Sequence, residues 1–185
     1  MEQALLPIKN LFTSEVIFIN VGQGDSILIR DRFTTCLIDT GGLKYLDVAD
    51  DCLIPFLRSK RIYNIDTLFI SHDDYDHSGA YESLVKNFNV DVTIRTKDKF
   101  PYKIGGLTFE NLNIWNSKDA NENSLVLYLE IYGKKFLFMG DASKEVEHKI
   151  LNQFVNLEVD YLKIVKRFSS LPTKNPHSVN PIYVK

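Results

Sequence analysis

The sequence predicts an α+β domain. Two groups of short apolar strands are separated by segments whose apolar side chains recur at helical spacing. The 185 residues are 44% hydrophobic and 12% aromatic, which is enough for one domain with a sizeable core. The predicted strands are 15–20, 26–30, 34–38, 66–70, 90–94, 107–115, 124–131, 135–139 and 159–164. The predicted helices are 47–60, 81–88 and 144–154.

The first three strands are expected to form an antiparallel meander, because only short turns separate them. The segment Gly22-Gln23-Gly24-Asp25 is typical of a tight turn, since glycine adopts the positive φ that such turns need. The helix at 47–60 carries Pro55 within its apolar stripe, so we expect a kink or two pieces. That helix leads into the buried strand at 66–70.

Polar loops interrupt the second group of strands. The segment 97–103 is predicted as a loop or a weak edge strand, and Gly133-Lys134 joins two strong strands in a hairpin. Residues 165–185 contain three prolines and no amphipathic period, which indicates an irregular tail. The domain is therefore predicted to span 1–164.

Charge and cysteine content narrow the class of protein. The net charge is −2, with 22 basic and 24 acidic residues, so no global basic excess supports nucleic-acid binding. Cys36 and Cys52 are expected to be buried free thiols rather than a disulfide.

No run approaches the roughly 18 apolar residues of a membrane span, and the first ten residues lack a signal-peptide core. We therefore expect a soluble chain, cytoplasmic by default.

The strongest functional signal is the loop that follows the strand at 66–70. Within six residues it carries five potential metal ligands: His72, Asp73, Asp74, Asp76 and His77. Alternation along an extended loop would bring His72, Asp74 and Asp76 to one point. His77 would then face a second point, and Asp73 would face away. Imidazole favours zinc, whereas carboxylate oxygen also suits manganese or magnesium. The pattern therefore predicts divalent ions that clamp a phosphoryl group; a solvated acidic loop is the alternative.

A second signal is the segment Phe138-Met139-Gly140-Asp141, in which a carboxylate follows a buried strand and a glycine. Asp141 could cap the helix that begins near Lys144, a role for which aspartate is well suited. It could also bind metal, because the preceding glycine lets the backbone approach closely. The residues alone leave both interpretations open.

The order His-x-Asp-x-Asp-His at 72–77 resembles a variant of the metallo-β-lactamase superfamily motif. The segments 18–26 and 37–42, which contain Gly24-Asp25-Ser26 and Asp39-Thr40-Gly41-Gly42, resemble the ComEC branch of that superfamily. The hydrolase domain of that branch is attached to a DNA-uptake channel. The resemblance covers about 14–164. It implies an αββα four-layer fold with incomplete C-terminal strand and helix units, and a nuclease-like hydrolysis of DNA in competence.

The resemblance also implies the roles of particular residues. The implied metal ligands, for one or two ions of zinc or manganese, are His72, Asp74, Asp76, His77 and Asp141. Asp141 would bridge two ions, and Asp25 and Asp39 would support the ligands through hydrogen bonds. Asn123 stands where the wider superfamily has a histidine; it is a ligand, a substrate contact or only a turn residue. Asp76 and Asn123 are the candidate catalytic residues.

The chain departs from the ComEC pattern after the strand at 159–164. Relatives there carry His-His-Gly-Ser, whose histidine completes the second metal site. This chain has Val165-Lys166-Arg167-Phe168-Ser169-Ser170, in which neither cationic side chain ligates a metal at neutral pH. We expect the second metal site to be weakened. We hypothesise that the tail is out of register with the ancestral coding sequence, or that the gene was cut short.

Three functions therefore stay open. The first is a phosphodiester hydrolase acting on DNA, with a membrane-channel partner encoded nearby. The second is a degenerate domain with little or no catalysis. The third is a hydrolase of another small ester or amide, against which Asp74 weighs, because those enzymes usually have histidine there.

Overall fold

The first sheet begins as the predicted antiparallel meander. The computed structural model describes residues 13–164 and 182–184. Its first strands are β1 (Ser14–Phe18), β2 (Ile27–Asp31) and β3 (Thr34–Ile38). Each strand pairs in antiparallel register with the next. All three strands are buried on both faces, so apolar residues run along them almost without alternation.

Two crossover connections extend this sheet with parallel strands. A π-helical turn, Ala49–Leu53, continues directly into α1 (Ile54–Ser59), and β4 (Asn64–Phe69) then pairs in parallel with β3. Pro55 lies at the start of α1, directly after the π-helical turn, and lacks the N–H that would continue the hydrogen-bond ladder. The predicted kink or division of this helix corresponds to the change from π-helical to α-helical turns beside Pro55.

The next crossover is shorter. It contains the helices α2 (Tyr75–Ser78) and α3 (Tyr81–Asn87) and leads into β5 (Asn89–Ile94). Strand β5 pairs in parallel with β4. The carboxyl end of β4 is thus inside the sheet, with a neighbour on each side, and the predicted metal loop begins at that end.

The second sheet is mostly antiparallel. A 3₁₀ turn, Lys97–Lys99, precedes its elements. These elements are β6 (Tyr102–Ile104), β7 (Leu107–Asn111), β8 (Leu127–Ile131), β9 (Lys134–Phe138), α4 (Lys144–Gln153) and β10 (Tyr161–Lys163). Strand β10 returns in parallel beside β9. Ser143 caps α4, since its Oγ accepts the N–H of Val146 at 3.4 Å. The cap of α4 is therefore Ser143 and not Asp141, which the sequence had allowed.

Three apolar layers hold the molecule together. Leu53, Leu57, Leu68 and Leu84 belong to the layer between the helices and the first sheet. The layer between the sheets contains Phe69, Phe109 and Phe136, and the layer under α4 contains Leu137, Val146 and Ile150. The order helix, sheet, sheet, helix confirms the predicted α+β class with four αββα layers.

Two predictions need correction. Strand β7 ends at Asn111, not at Trp115, because side-chain amides replace the ladder partners there. The Asn111 Oδ1 accepts the N–H of Val126 at 2.9 Å. In the predicted irregular tail, residues 182–184 form β11 (Ile182–Val184), which pairs with the otherwise open edge of β1.

The remaining predictions for 165–185 fall outside the described residues, including those for Lys166 and Arg167. The division into a domain and a tail stays a prediction. Cys36 and Cys52 are free thiols, as expected; Cys36 is buried, whereas Cys52 is only partly buried. Among residues 13–164 and 182–184, no helix has the length and apolar character that a membrane crossing requires.

Phe109→Ala is expected to lower the free energy of unfolding by about 3–5 kcal/mol, because it leaves a cavity between the sheets. Phe109 is fully buried, with its ring centroid 4.6 Å from that of Phe69. Phe33→Ala is the control, since Phe33 is 75% exposed; its cost should stay within about 0.5 kcal/mol. Urea unfolding of both variants measures the difference. Equal costs would show that the sheets do not pack through Phe109.

Candidate metal centre

The loops that follow β4 and β9 lie against each other. The N–H of Leu125, in the segment before β8, donates to the carbonyl of Ser71 at 2.8 Å. Gly140, after β9, has a φ of +53°, and a Cβ added there would lie 3.1 Å from the Cβ of Ser71. Glycine therefore permits both the turn and the close approach. As a result, Asp141 Oδ1 lies 2.9 Å from His77 Nε2.

The short helix α2 changes which side chains of the metal loop meet. Asp74 precedes the helix with an extended backbone, and the helical turn begins at the next residue. A helical turn replaces the simple alternation expected from the sequence. His77 therefore faces His72, with 4.2 Å between the ring centroids. The Asp76 carboxylate belongs to neither of the close groups of potential ligand atoms among the described residues.

One of these groups consists of His72, His77 and Asp141, whose ligand atoms all lie within 4.8 Å of one another. The Nε2 of His72 is buried and has no hydrogen-bond partner among the described residues. A buried polar atom without a partner costs free energy, and a bound cation would satisfy it. Asp74 Oδ2 lies 3.6 Å from the same Nε2, and its side chain is 48% exposed. The donor set therefore fits a divalent ion.

Asp39 and Ser71 orient both imidazoles. The buried Asp39 accepts the Ser71 N–H at Oδ1 and the Ser71 hydroxyl at Oδ2, both at 2.7 Å. The same Oδ2 lies 2.8 Å from Nδ1 of His77. The Ser71 hydroxyl already donates its hydrogen bond to Asp39. Towards Nδ1 of His72, 3.0 Å away, the same hydroxyl oxygen therefore acts as the acceptor. This network assigns the His72 proton to Nδ1 and leaves the lone pair of Nε2 for a metal.

The two histidines have opposite pKa shifts. Burial disfavours the charged form of His77, but hydrogen bonds to Asp141 and Asp39 outweigh burial and raise its pKa to about 10. Burial lowers the pKa of His72, and the neighbouring His77 lowers it further. In the metal-free chain near neutral pH, His77 is therefore charged and His72 is neutral.

A second group of potential ligand atoms contains Asp25, Asp39 and His77. The N–H of Asp25 donates to the carbonyl of Asp76 at 3.3 Å, which ties the first turn to the metal loop. The carboxylate of Asp25 pairs with the ammonium of Lys163, which lies on β10. Burial lowers the pKa of Lys163 to about 8. Sequence reasoning missed Lys163; the available signal was a lysine between the apolar residues Leu162 and Ile164 of a predicted strand.

The other predicted residues lie outside the cluster. Asp73 is exposed and pairs with Arg95, whose Nη1 is 2.6 Å from Asp73 Oδ1, in agreement with its expected outward direction. Asn123 is exposed and lines a cavity of about 730 Å³ together with Arg95, Lys97 and Phe100. The roles of Asp76 and Asn123 stay predictions.

Two covered sheets, with histidine and aspartate side chains meeting at the ends of their strands, define a metallo-β-lactamase-type fold. The sequence profile of the Metallo-beta-lactamase superfamily matches residues 19–113, which is 95 of the 185 residues. The chain belongs to this superfamily. Membership implies a divalent metal site, for which the described residues supply candidate ligands.

Competence proteins are similar to this chain within that superfamily. ComE operon protein 3 of Bacillus subtilis (strain 168) is 31% identical over 195 positions, covering 81% of this chain and 25% of that protein. Competence protein ComA of Neisseria gonorrhoeae is 25% identical over 146 positions, covering 73% and 21%. These proteins are of the ComEC type, so the predicted resemblance is confirmed. The chain spans about a quarter of their length.

A solved structure shows the same fold. A metallo-beta-lactamase from Cronobacter sakazakii superposes with a TM-score of 0.56 at 12% identity, covering 80% of this chain and 74% of that one. At this identity the likeness concerns the fold alone.

Gly24→Ala is expected to disturb the metal loop. Gly24 has a φ of +82°, and an added Cβ would lie 1.6 Å from the carbonyl oxygen of Asp76. Gly133 is the matched control, because its φ is +74° and nothing lies within 4 Å of an added Cβ. Both variants bear the cost of positive φ, about 1–2 kcal/mol. Only Gly24→Ala should lose more stability and weaken metal binding; calorimetry and urea unfolding measure both, and equal effects would contradict the contact.

Metal uptake is expected to release about one proton from His77, even near pH 8.5. Because its pKa is raised to about 10, His77 is protonated between pH 6.5 and pH 8.5 and must lose its proton to bind a cation. A histidine with the ordinary pKa of about 6.5 would release almost none at that pH. Calorimetric titration in two buffers of different ionisation enthalpy measures the release. A release that vanishes between pH 6.5 and pH 8.5 would refute the raised pKa.

Proposed function

We propose that this chain is a metal-dependent phosphodiesterase domain of the ComEC type, which hydrolyses DNA. The observation that carries the proposal is the buried Nε2 of His72, without a partner among the described residues, beside His77 and Asp141. The competence proteins to which the chain is similar support the nucleic-acid substrate.

The proposed ligands are His72, His77 and Asp141, with Asp74 completing the coordination from its present 3.6 Å distance to His72. A mixture of imidazole and carboxylate donors suits zinc and manganese. When bound, such an ion supplies Lewis acidity and an activated water near neutral pH. Asp39 keeps His77 in one orientation and accepts the N–H of its Nδ1, so that Nε2 is the ligand atom, as carboxylates behind ligating histidines do.

The cavity beside Asn123 supports a place for the substrate. Asn123 offers an amide, and Phe100 offers an aromatic surface. Arg95 and Lys97 also line the cavity, together with Asp98 and Glu110, and Arg95 would have to exchange Asp73 for a phosphate. Amide and cationic groups bind phosphate oxygens, and aromatic rings stack on unpaired bases. We therefore propose that Asn123 contacts the substrate. The family resemblance supports the further proposal that Asp76 acts near the reacting phosphate.

The net charge of −2 means that DNA is not attracted by the chain as a whole. Local contacts must hold it, or another part of the uptake apparatus must deliver it. The relatives are about four times as long as the matched region, and the ComEC resemblance implies a membrane channel. We propose that such a channel is the partner of this domain.

Single-stranded DNA and a small phosphodiester, each assayed with manganese and with zinc, test the function. His72→Ala and Asp141→Ala should each lower metal affinity by at least about 100-fold and abolish cleavage, because each removes a ligand. Asp39→Asn should cost about 10–100-fold in affinity, as losses behind a ligand do. His148→Ala is the control, since His148 lies exposed on α4.

Two outcomes would contradict the proposal. Cleavage that survives in His72→Ala would come from a contaminant or another site. Tight metal binding without cleavage of either substrate would identify a degenerate domain instead. A β-lactam and a thioester in the same assay distinguish the remaining hydrolase class.

A further inference from the structure

A second cavity, of about 440 Å³, lies beside the metal loop and is separate from the one that Asn123 lines. Its walls come from the segment after β3 and from residues of α2 and α3. They include the side chains of Tyr45 and Tyr75. Tyr75 stands two residues before the proposed ligand His77. The cavity therefore adjoins the metal centre without containing any of its proposed ligands.

The ring of Tyr75 is held at both ends. Its hydroxyl donates to the carbonyl of Leu43 at 3.4 Å. Its Cδ2 lies 3.1 Å from the place where a Cβ on Gly79 would be, so the ring packs closely against a residue without a side chain. Tyr75 is nevertheless 50% exposed. A ring that is already fixed loses little conformational freedom when a planar ligand stacks on it.

Tyr45 projects from a tight turn on the other wall. Leu43 and Leu46 form an isolated β-bridge, and the N–H of Leu46 donates to the carbonyl of Leu43 at 3.3 Å. Tyr45 lies at the tip of this turn and is 85% exposed, so its ring contributes little to the core. A single exposed aromatic residue is ordinary, but two that line one cavity beside a candidate metal centre indicate a binding surface.

The remaining chemistry of the cavity fits a base better than a phosphate. Asp47 lines it, and its carboxylate accepts the Ser83 hydroxyl at 2.7 Å and the N–H of Ala49 at 3.0 Å. This fixed negative charge repels a phosphate, whereas the amino group of a base can donate to a carboxylate. Aromatic rings stack on unpaired bases whatever their sequence.

The order of the strands places the metal loop between the two cavities. The turn that carries Tyr45 follows β3, the metal loop follows β4, and Arg95, which lines the cavity beside Asn123, follows β5. Strand β4 lies between β3 and β5 and is parallel to both. The carboxyl ends of these three strands therefore meet at one edge of the sheet, where ligands bind in open α/β sheets.

We propose that Tyr45 and Tyr75 form a stacking subsite for the unpaired bases of a nucleic-acid strand that crosses the metal loop between the two cavities. This inference rests on the proposed function, because it concerns the same substrate. It specifies that substrate as a single strand of several nucleotides, with bases bound on both sides of the cleaved bond. Bases inside a double helix are already stacked and do not present free faces to the tyrosines.

Anisotropy of a short fluorescent single strand with phosphorothioate linkages, which slow hydrolysis, measures binding in the presence of manganese. Tyr45→Ala and Tyr75→Ala should each weaken binding by at least about 5-fold, as the loss of a stacked base does. Tyr45→Phe keeps the ring and should retain the native affinity. Tyr63→Ala is the matched control, because Tyr63 is 66% exposed and precedes β4, at the end opposite the metal loop.

A strand of the same length without bases distinguishes stacking from contacts to phosphate. The native chain should bind this abasic strand more weakly than the complete one, and Tyr45→Ala should weaken its binding no further. An equally large effect of Tyr45→Ala on both strands would overturn the subsite. Calorimetric titration with manganese verifies that Tyr75→Ala keeps the metal affinity; if it does not, Tyr45→Ala decides, since its turn is separate from the metal loop.

Hydrolysis of a small phosphodiester, measured in parallel, separates this inference from the function. In the tyrosine variants, the ratio of kcat/KM for the single strand to kcat/KM for the small phosphodiester should fall at least about 5-fold. Hydrolysis of both substrates with an unchanged ratio and unchanged strand affinity would overturn the subsite and leave the hydrolase intact. Strand binding that depends on Tyr45, without cleavage of any substrate, would overturn the hydrolase and leave the subsite.

Discussion

The contact between His77 and Asp141 is the interaction on which the rest of the site depends. His77 follows β4 of the first sheet, and Asp141 follows β9 of the second sheet. Their 2.9 Å approach therefore joins the two halves of the fold at one point. Gly140 favours that approach, because its φ is +53° and an added Cβ would lie only 3.1 Å from the Cβ of Ser71. The apolar layer between the sheets fixes the distance, and the loops need only span short gaps to meet.

The polar network behind the cluster has a clear physical purpose. Asp39 is buried, and its two oxygens are satisfied by Ser71 and His77. A buried carboxylate is tolerated only when it is hydrogen-bonded and paired with positive charge. The same bonds select the ring orientation of His77 and, through the Ser71 hydroxyl, the tautomer of His72. The site is thus organised before any ligand arrives, which reduces the cost of binding.

The sequence predicted most strands within one to three residues, because buried strands carry long apolar runs and their turns contain glycine. It failed where local polar chemistry decides the backbone. Asn111 ended β7 early through a side-chain bond that no period reveals. The helical turn at 75–78 replaced the expected alternation and moved His77 toward His72. Lys163 was missed because its partner, Asp25, is far away in the sequence, and only the folded structure brings the two side chains together.

The central claim is that His72, His77 and Asp141 bind one divalent ion. Crystals grown with manganese or zinc, measured by anomalous diffraction at the metal edge, test it most directly. The account predicts a peak about 2.0–2.2 Å from Nε2 of both histidines and from a carboxylate oxygen of Asp141. A peak bound elsewhere, or metal-soaked crystals in which His77 still donates to Asp141 and no peak lies between them, would contradict it.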